Sequence, residues 1–171
     1  MKRLVLGSVV MAGLVLASGT AIAKGGHGAT IDRFPVSFSM SSATCSHLPD
    51  GTTINGSGIE KSITNTRTKR GVTTTINTSH ANGTATDQNG NRYRFNYSNH
   101  FRAKNTVANP DQFSGKMVGS FSLAGPGPAK LHNGFLARFT TDFATFFNFD
   151  PIHSRGGPIS FPDGTAHCDP L

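Results

Sequence analysis

A chain of 171 residues has room for one domain with a real hydrophobic core, and this one carries 16 Lys and Arg against 9 Asp and Glu, a formal charge of +7. The excess is modest, and neither a dense Lys/Arg tract nor a base-reading motif accompanies it, which argues against nucleic acid as a partner. With 13 phenylalanines, no tryptophan and 2 cysteines, the core must be built largely from phenyl rings.

Residues 1–23 place Lys2 and Arg3 before an apolar run over 4–16 and end on Ala21-Ile22-Ala23. That order predicts a cleaved bacterial signal peptide. Its run is shorter than the roughly 20 residues that a membrane helix needs, and no later segment is apolar enough to span a bilayer. Cleavage before Lys24 removes Lys2 and Arg3, lowers the charge to +5 and puts the mature chain in a secreted or periplasmic compartment. No cysteine stands at the cleavage point to take a lipid anchor. Residues 24–30 hold three glycines and read as a flexible N-terminal segment, and 31–171 read as a single β domain.

From Arg33 the pattern has a period of two. Phe34, Val36, Phe38 and Met40 alternate with Pro35, Ser37, Ser39 and Ser41, as in a half-buried strand, and Pro35 places it at a sheet edge. Pro49-Asp50-Gly51 is a turn. Residues 52–68 and 72–85 are rich in β-branched side chains and read as two strands joined at Lys69-Arg70-Gly71, with Val72, Thr74, Ile76 and Thr78 sharing a face. A hairpin follows at residues 87–91, where Asn89-Gly90 offers a positive-φ pair. The outgoing strand, 92–102, puts Tyr93, Phe95, Tyr97 and Phe101 on one face and Arg92, Arg94, Asn96, Ser98, His100 and Arg102 on the other. Residues 104–112 are polar, contain Asn109-Pro110-Asp111 and read as a long surface loop. Phe113, Met117, Phe121 and Leu123 form a strand that ends at Gly125-Pro126-Gly127-Pro128, and Leu131, Phe135, Ala137 and Phe139 form the next. Two more are expected at 145–149 and 159–167, punctuated by Asp150-Pro151, Gly156-Gly157-Pro158 and Pro162-Asp163-Gly164.

No helical apolar stripe persists for three turns, so the fold class is all-β: an antiparallel meander of about eight strands, a barrel in preference to a sandwich. In an exported chain, Cys45 and Cys168 allow one intramolecular disulfide. Such a bridge needs the two alpha carbons within about 7 Å and brings the first strand region to the C-terminal tail. It favours closure of the sheet.

Seven histidines, His27, His47, His80, His100, His132, His153 and His167, show no ligand spacing, so neither a metal nor a cofactor is assigned. Catalysis lacks a recognisable constellation. Gly56-Ser57-Gly58 is not a nucleophile elbow, the aspartates fall mostly in turns, and Glu60 is the only glutamate. The strongest polar set is Arg92, Arg94, His100 and Arg102, joined from a nearby turn by Arg67, Lys69 and Arg70. It suits an anionic partner, or it solvates an exposed face. The phenylalanines at Phe143, Phe146, Phe147 and Phe149 are either core or a surface for a ligand or partner, because adjacent Phe146 and Phe147 must point to opposite sides of a strand. Four Asn-x-Ser/Thr triplets, at Asn55, Asn77, Asn82 and Asn96, are read as chance products of Thr/Asn-rich strands.

Across residues 87–97 and the closing His167-Cys168-Asp169-Pro170-Leu171, the chain resembles the small secreted β-barrel or β-sandwich proteins of bacteria. The resemblance implies a compact β fold and transfers no functional residue. The leading functional expectation is an exported non-catalytic β-barrel-like module whose phenylalanine-lined interior or end binds a small apolar molecule or a cell-envelope component, with an anionic envelope polymer as a further possible partner. One alternative is an exported isomerase or hydrolase with Arg94, Tyr97 and His100 in a barrel mouth, which requires a bulge between Tyr97 and His100. Another is a structural or adhesive surface protein.

Overall fold

The computed structural model describes residues 28–142, 145, 147–156, 159–160 and 167–168. The expected leader, residues 24–27, Phe143, Phe146 and the Pro162-Asp163-Gly164 turn lie outside them. The alternation seen in the sequence becomes seven long strands: β1 Thr30–Ser41, β2 Thr53–Lys69, β3 Val72–Asp87, β4 Arg92–Thr106, β5 Asn109–Ala124, β6 Leu131–Thr141 and β7 Phe147–Arg155. Each pairs antiparallel with the next, in the sheet order β1-β2-β3-β4-β5-β6-β7. The segment expected as one strand at 159–167 instead supplies two short ones, β8 Ile159–Ser160 and β9 His167–Cys168, which form a separate ribbon. The described residues contain no helix.

Turn chemistry sets the register. Arg70 and Gly71 both have positive φ, 51° and 74°, and join Lys69 to its partner Val72 as a two-residue hairpin loop whose twist matches the strands. At the next hairpin only Gly90 is left-handed, so the expected Asn89-Gly90 positive-φ pair is not formed. The Asp87 carboxylate organises that turn instead. It accepts from the Asn89 and Asn91 backbone amides, the Asn91 side-chain amide and the buried Tyr93 hydroxyl, all at 2.8–2.9 Å. Burial opposes the charged form of Asp87, but these hydrogen bonds outweigh it and hold the carboxyl below its ordinary range.

The expected long loop at 104–112 is not a loop. β4 continues to Thr106, which pairs with Asn109 across a two-residue tip, with a register irregularity beside it. The Val107 amide donates to the Gly71 carbonyl at 3.0 Å, tying this tip to the preceding hairpin. Most of the side chains here are exposed on both faces, so the strand ends lack the apolar alternation that marks a half-buried strand. Pro151, expected to punctuate a strand, lies within β7 opposite Ala137, beside a second register shift. β7 is an edge strand, and Pro35 lies in β1 at the other edge, where a missing N–H is tolerated.

One face of the sheet is buried. Phe38 from β1 meets Phe95 from β4 edge-on, with ring centroids 5.0 Å apart, and Phe121 from β5 at 5.7 Å. Small residues on the intervening strands make this possible. A Cβ at Gly56 would overlap the Phe38 ring, and one at Gly58 or Gly83 would overlap Phe95. Met40, Ile54, Tyr93, Leu123 and Leu131 are among the other members of this cluster, and Ala103, Met117, Ala137 and Phe139 form a second.

The cystine is present: Cys45 and Cys168 are bonded, with alpha carbons 4.5 Å apart, and both are buried in the first cluster. It does not close the sheet. Cys45 lies in the loop after β1 and Cys168 in the β8–β9 ribbon, and the Cys168 amide donates to the Thr44 carbonyl at 2.9 Å. The bridge therefore fixes the ribbon to a loop rather than strand β1 to strand β7, and the described seven-stranded sheet is open.

Candidate anion-binding face

Successive strand residues point to opposite faces, so β4 divides as its sequence predicts: Tyr93, Phe95, Tyr97, Phe101 and Ala103 turn to the buried side and Arg92, Arg94, Asn96, His100 and Arg102 to the exposed side. Along the strand the cations form two groups. Eight residues separate Arg94 from Arg102, about 27 Å at the strand rise. Arg94 faces Thr84 and Ala124, and Arg92 faces Thr86, so neither has a cationic neighbour in register. Arg102 stands opposite Lys116 of β5, and Lys116 stands opposite Arg138 of β6. These three side chains are exposed and fall on consecutive strands about 4.8 Å apart.

One step toward the hairpin tips, Arg67 and Lys104 flank Thr74 in the same register row and extend the patch. Lys69 pairs with Val72 at the hairpin end and Arg70 occupies the turn. The carboxylate that faces the ladder in register is Asp150, opposite Arg138. No ion pair joins Arg102, Lys116 or Arg138 to any of the described residues. Two like charges at 5 Å repel by roughly 0.8 kcal/mol in bulk water, and directly opposed like charges destabilise a sheet. A polyanion would relieve that repulsion.

Sequence reasoning found Arg102 but missed Lys116 and Arg138. Each of these looks like an isolated polar residue in an alternating strand, and only the register aligns them. Both occupy the even, outward parity of β5 and β6, which is the one signal that could have selected them. His100 also faces outward, where its Nδ1 lies 2.9 Å from the Thr78 hydroxyl. The pairing of β3 with β4 runs without interruption from Thr86 to Val72, so no bulge separates Tyr97 from His100, and the Arg94, Tyr97 and His100 set does not converge.

The buried face holds a second polar constellation. Glu60 is only 4% exposed and lies in one row with Ala81 and Tyr97, next to the row of Ser62, Ser79 and Asn99. Burial raises the Glu60 pKa, and a hydrogen bond with Ser79 partly offsets the rise. Tyr97 is pushed up to about 12, first by burial, while hydrogen bonding with Asn99 works against the shift and the Glu60 charge adds to it. The Asn77 side-chain amide donates to the Ser62 and Thr64 hydroxyls at 2.8 Å, and Ser79 donates back to Asn77 at 3.2 Å. The hydrogen bonds of this set join β3 to β2, and Asn99 bonds Tyr97 within β4, in the same polar rows. The lone glutamate on the same parity as Ile54 was the sequence signal for it.

Of the phenylalanine group, Phe143 and Phe146 lie outside the described residues, and Phe147 starts β7 opposite Thr141. Phe149 is half-buried and packs edge-on against Phe135 at 5.4 Å, on the margin of the second apolar cluster. Among the described residues no group of three or more His, Cys, Asp or Glu side chains is arranged to hold a metal, and no helix is long and apolar enough to cross a membrane. In comparisons with protein-family models, curated proteins and solved structures, the chain matched none.

Proposed function

We propose that this chain is an exported, non-catalytic β module that holds an anionic envelope polymer against the exposed face of its sheet. The Arg102, Lys116 and Arg138 ladder carries this reading: three cations stand in direct register, the Asp150 carboxylate faces only the Arg138 end of the row, and with no ion pair to any described residue the cations repel one another, a repulsion that a bound polyanion removes. Arginine adds planar donor pairs that match carboxylate, sulfate and phosphate oxygens. The resemblance to small secreted β proteins of bacteria and the signal-peptide pattern of residues 1–23 support an extracytoplasmic setting, where such polymers occur.

Retention on a carboxylated polymer matrix tests the reading. The wild-type protein should bind at low ionic strength and elute as salt screens the attraction. The triple variant Arg102→Ser, Lys116→Ser, Arg138→Ser should elute at markedly lower salt, while Arg92→Ser with Arg94→Ser should elute close to wild type. Equal losses from the two variants would reduce the ladder to general surface charge and remove the basis of the proposal.

A further inference from the structure

Beside the cationic ladder, the exposed face carries a shallow groove of about 220 Å³ bounded by His80, Asn82, Asn96, Ser98, Ser120 and His132. Ala81, Tyr97 and Phe121 also border it, but their side chains turn to the buried face, so their backbone forms the floor. The two central hydroxyls, Ser98 and Ser120, are hydrogen-bonded to each other at 2.8 Å. Amides and hydroxyls each offer both donors and acceptors. That is the lining a hydroxyl-rich ligand needs.

The groove and the ladder share strands. Ser98 lies four residues before Arg102 on β4, and Lys116 lies four residues before Ser120 on β5, a separation of about 14 Å on each strand. Between them lies the row His100, Val118 and Leu136, in which Val118 is 50% exposed. The face thus passes from hydroxyls and amides to cations, over the apolar Val118 on β5 and over His100 on β4. A sugar chain offers hydroxyls at its edges, apolar C–H faces on its rings and, if acidic, anions at intervals. Single-stranded nucleic acid fits less well, because no phenylalanine or tyrosine of β2–β6 lies on this outward parity to stack a base.

Building on the polyanion reading above, we infer that the occupant is an acidic polysaccharide, its anionic groups on Arg102, Lys116 and Arg138 and a hydroxyl-bearing sugar unit in the groove. Titration calorimetry of the full mature chain with an oligogalacturonate and with inorganic polyphosphate of equal charge separates the two parts of this claim. The oligogalacturonate should bind about 10-fold more tightly, and Asn82→Ala with Asn96→Ala should remove most of that advantage while leaving polyphosphate binding unchanged. Ser120→Gln, which fills the groove from an exposed position, provides a second variant, and thermal melts confirm that each variant folds. Equal or tighter binding of polyphosphate, or groove variants that affect both probes alike, would overturn the polysaccharide assignment and leave the ladder reading in place. Failure of both probes to bind would overturn both.

Discussion

Glu60 and Asp87 show how two carboxyls on one sheet acquire opposite pH dependence. The folded protein raises the Glu60 pKa above its ordinary 4.5 through burial, so it holds a proton there that the unfolded chain has released. The stability linked to Glu60 is therefore fully present below pH 4.5 and is lost as pH rises through the folded value. Asp87, lowered by its turn hydrogen bonds, works the other way and loses its contribution as pH falls below 3.8 toward the folded value. Glu60→Gln should keep a partner for Ser79 yet remove the buried charge, so its melting temperature should exceed that of wild type at pH 7.5 and converge with it by pH 4. Parallel melting curves across that range would show that Glu60 titrates normally.

At the scale of strands, the ladder is a conflict between stability and binding. Lys116→Glu would place a carboxylate between Arg102 and Arg138 and turn two repulsive cross-strand pairs into attractive ones, each worth roughly 0.2–1 kcal/mol. The urea midpoint of this variant should rise while its retention on the carboxylated matrix falls. A variant that is less stable, or that binds as well as wild type, would mean that the three side chains splay apart and do not act as a unit. Strand content was legible from period-two alternation in β1, β4, β5 and β6, where one face meets the core and the other meets water, and from β-branched richness in β2 and β3. The alternation gave no sign of the β4–β5 tip, because side chains exposed on both faces carry no such signal. Nor did it reveal the polar interior of β3, where Asn77 and Ser79 are buried by pairing with neighbours on β2 and with each other.

For the whole molecule, the cystine links positions 123 residues apart. Closing a loop of that length removes unfolded-state entropy worth about 5 kcal/mol in the chain-entropy model. Replacing Cys45 and Cys168 together with Ser should therefore lower the urea unfolding midpoint strongly, and a midpoint within error of wild type would show that the tail is held by other contacts. The bridge itself was readable from sequence, since two cysteines have one intramolecular pairing. Its consequence was not: closure of the sheet depended on which elements flank the cysteines, and those are a loop and a two-strand ribbon.

What the residues determined alone was the β class, the positions of the 69–72 and 87–91 turns, the one possible cysteine pairing, and which β4 side chains face water. Apart from the pairing, which follows from there being only two cysteines, these follow from backbone sterics and from a pleat of period two, which act over a few positions along the chain. Tertiary structure decided which strand neighbours which and at what offset. That register moved the polar focus from Arg92, Arg94 and His100 to Arg102 with Lys116 and Arg138, and it assembled Glu60, Tyr97 and Asn99 beneath the opposite face. Residues far apart in sequence become neighbours only through hydrogen-bonded pairing across strands, and no short-range pattern records that pairing.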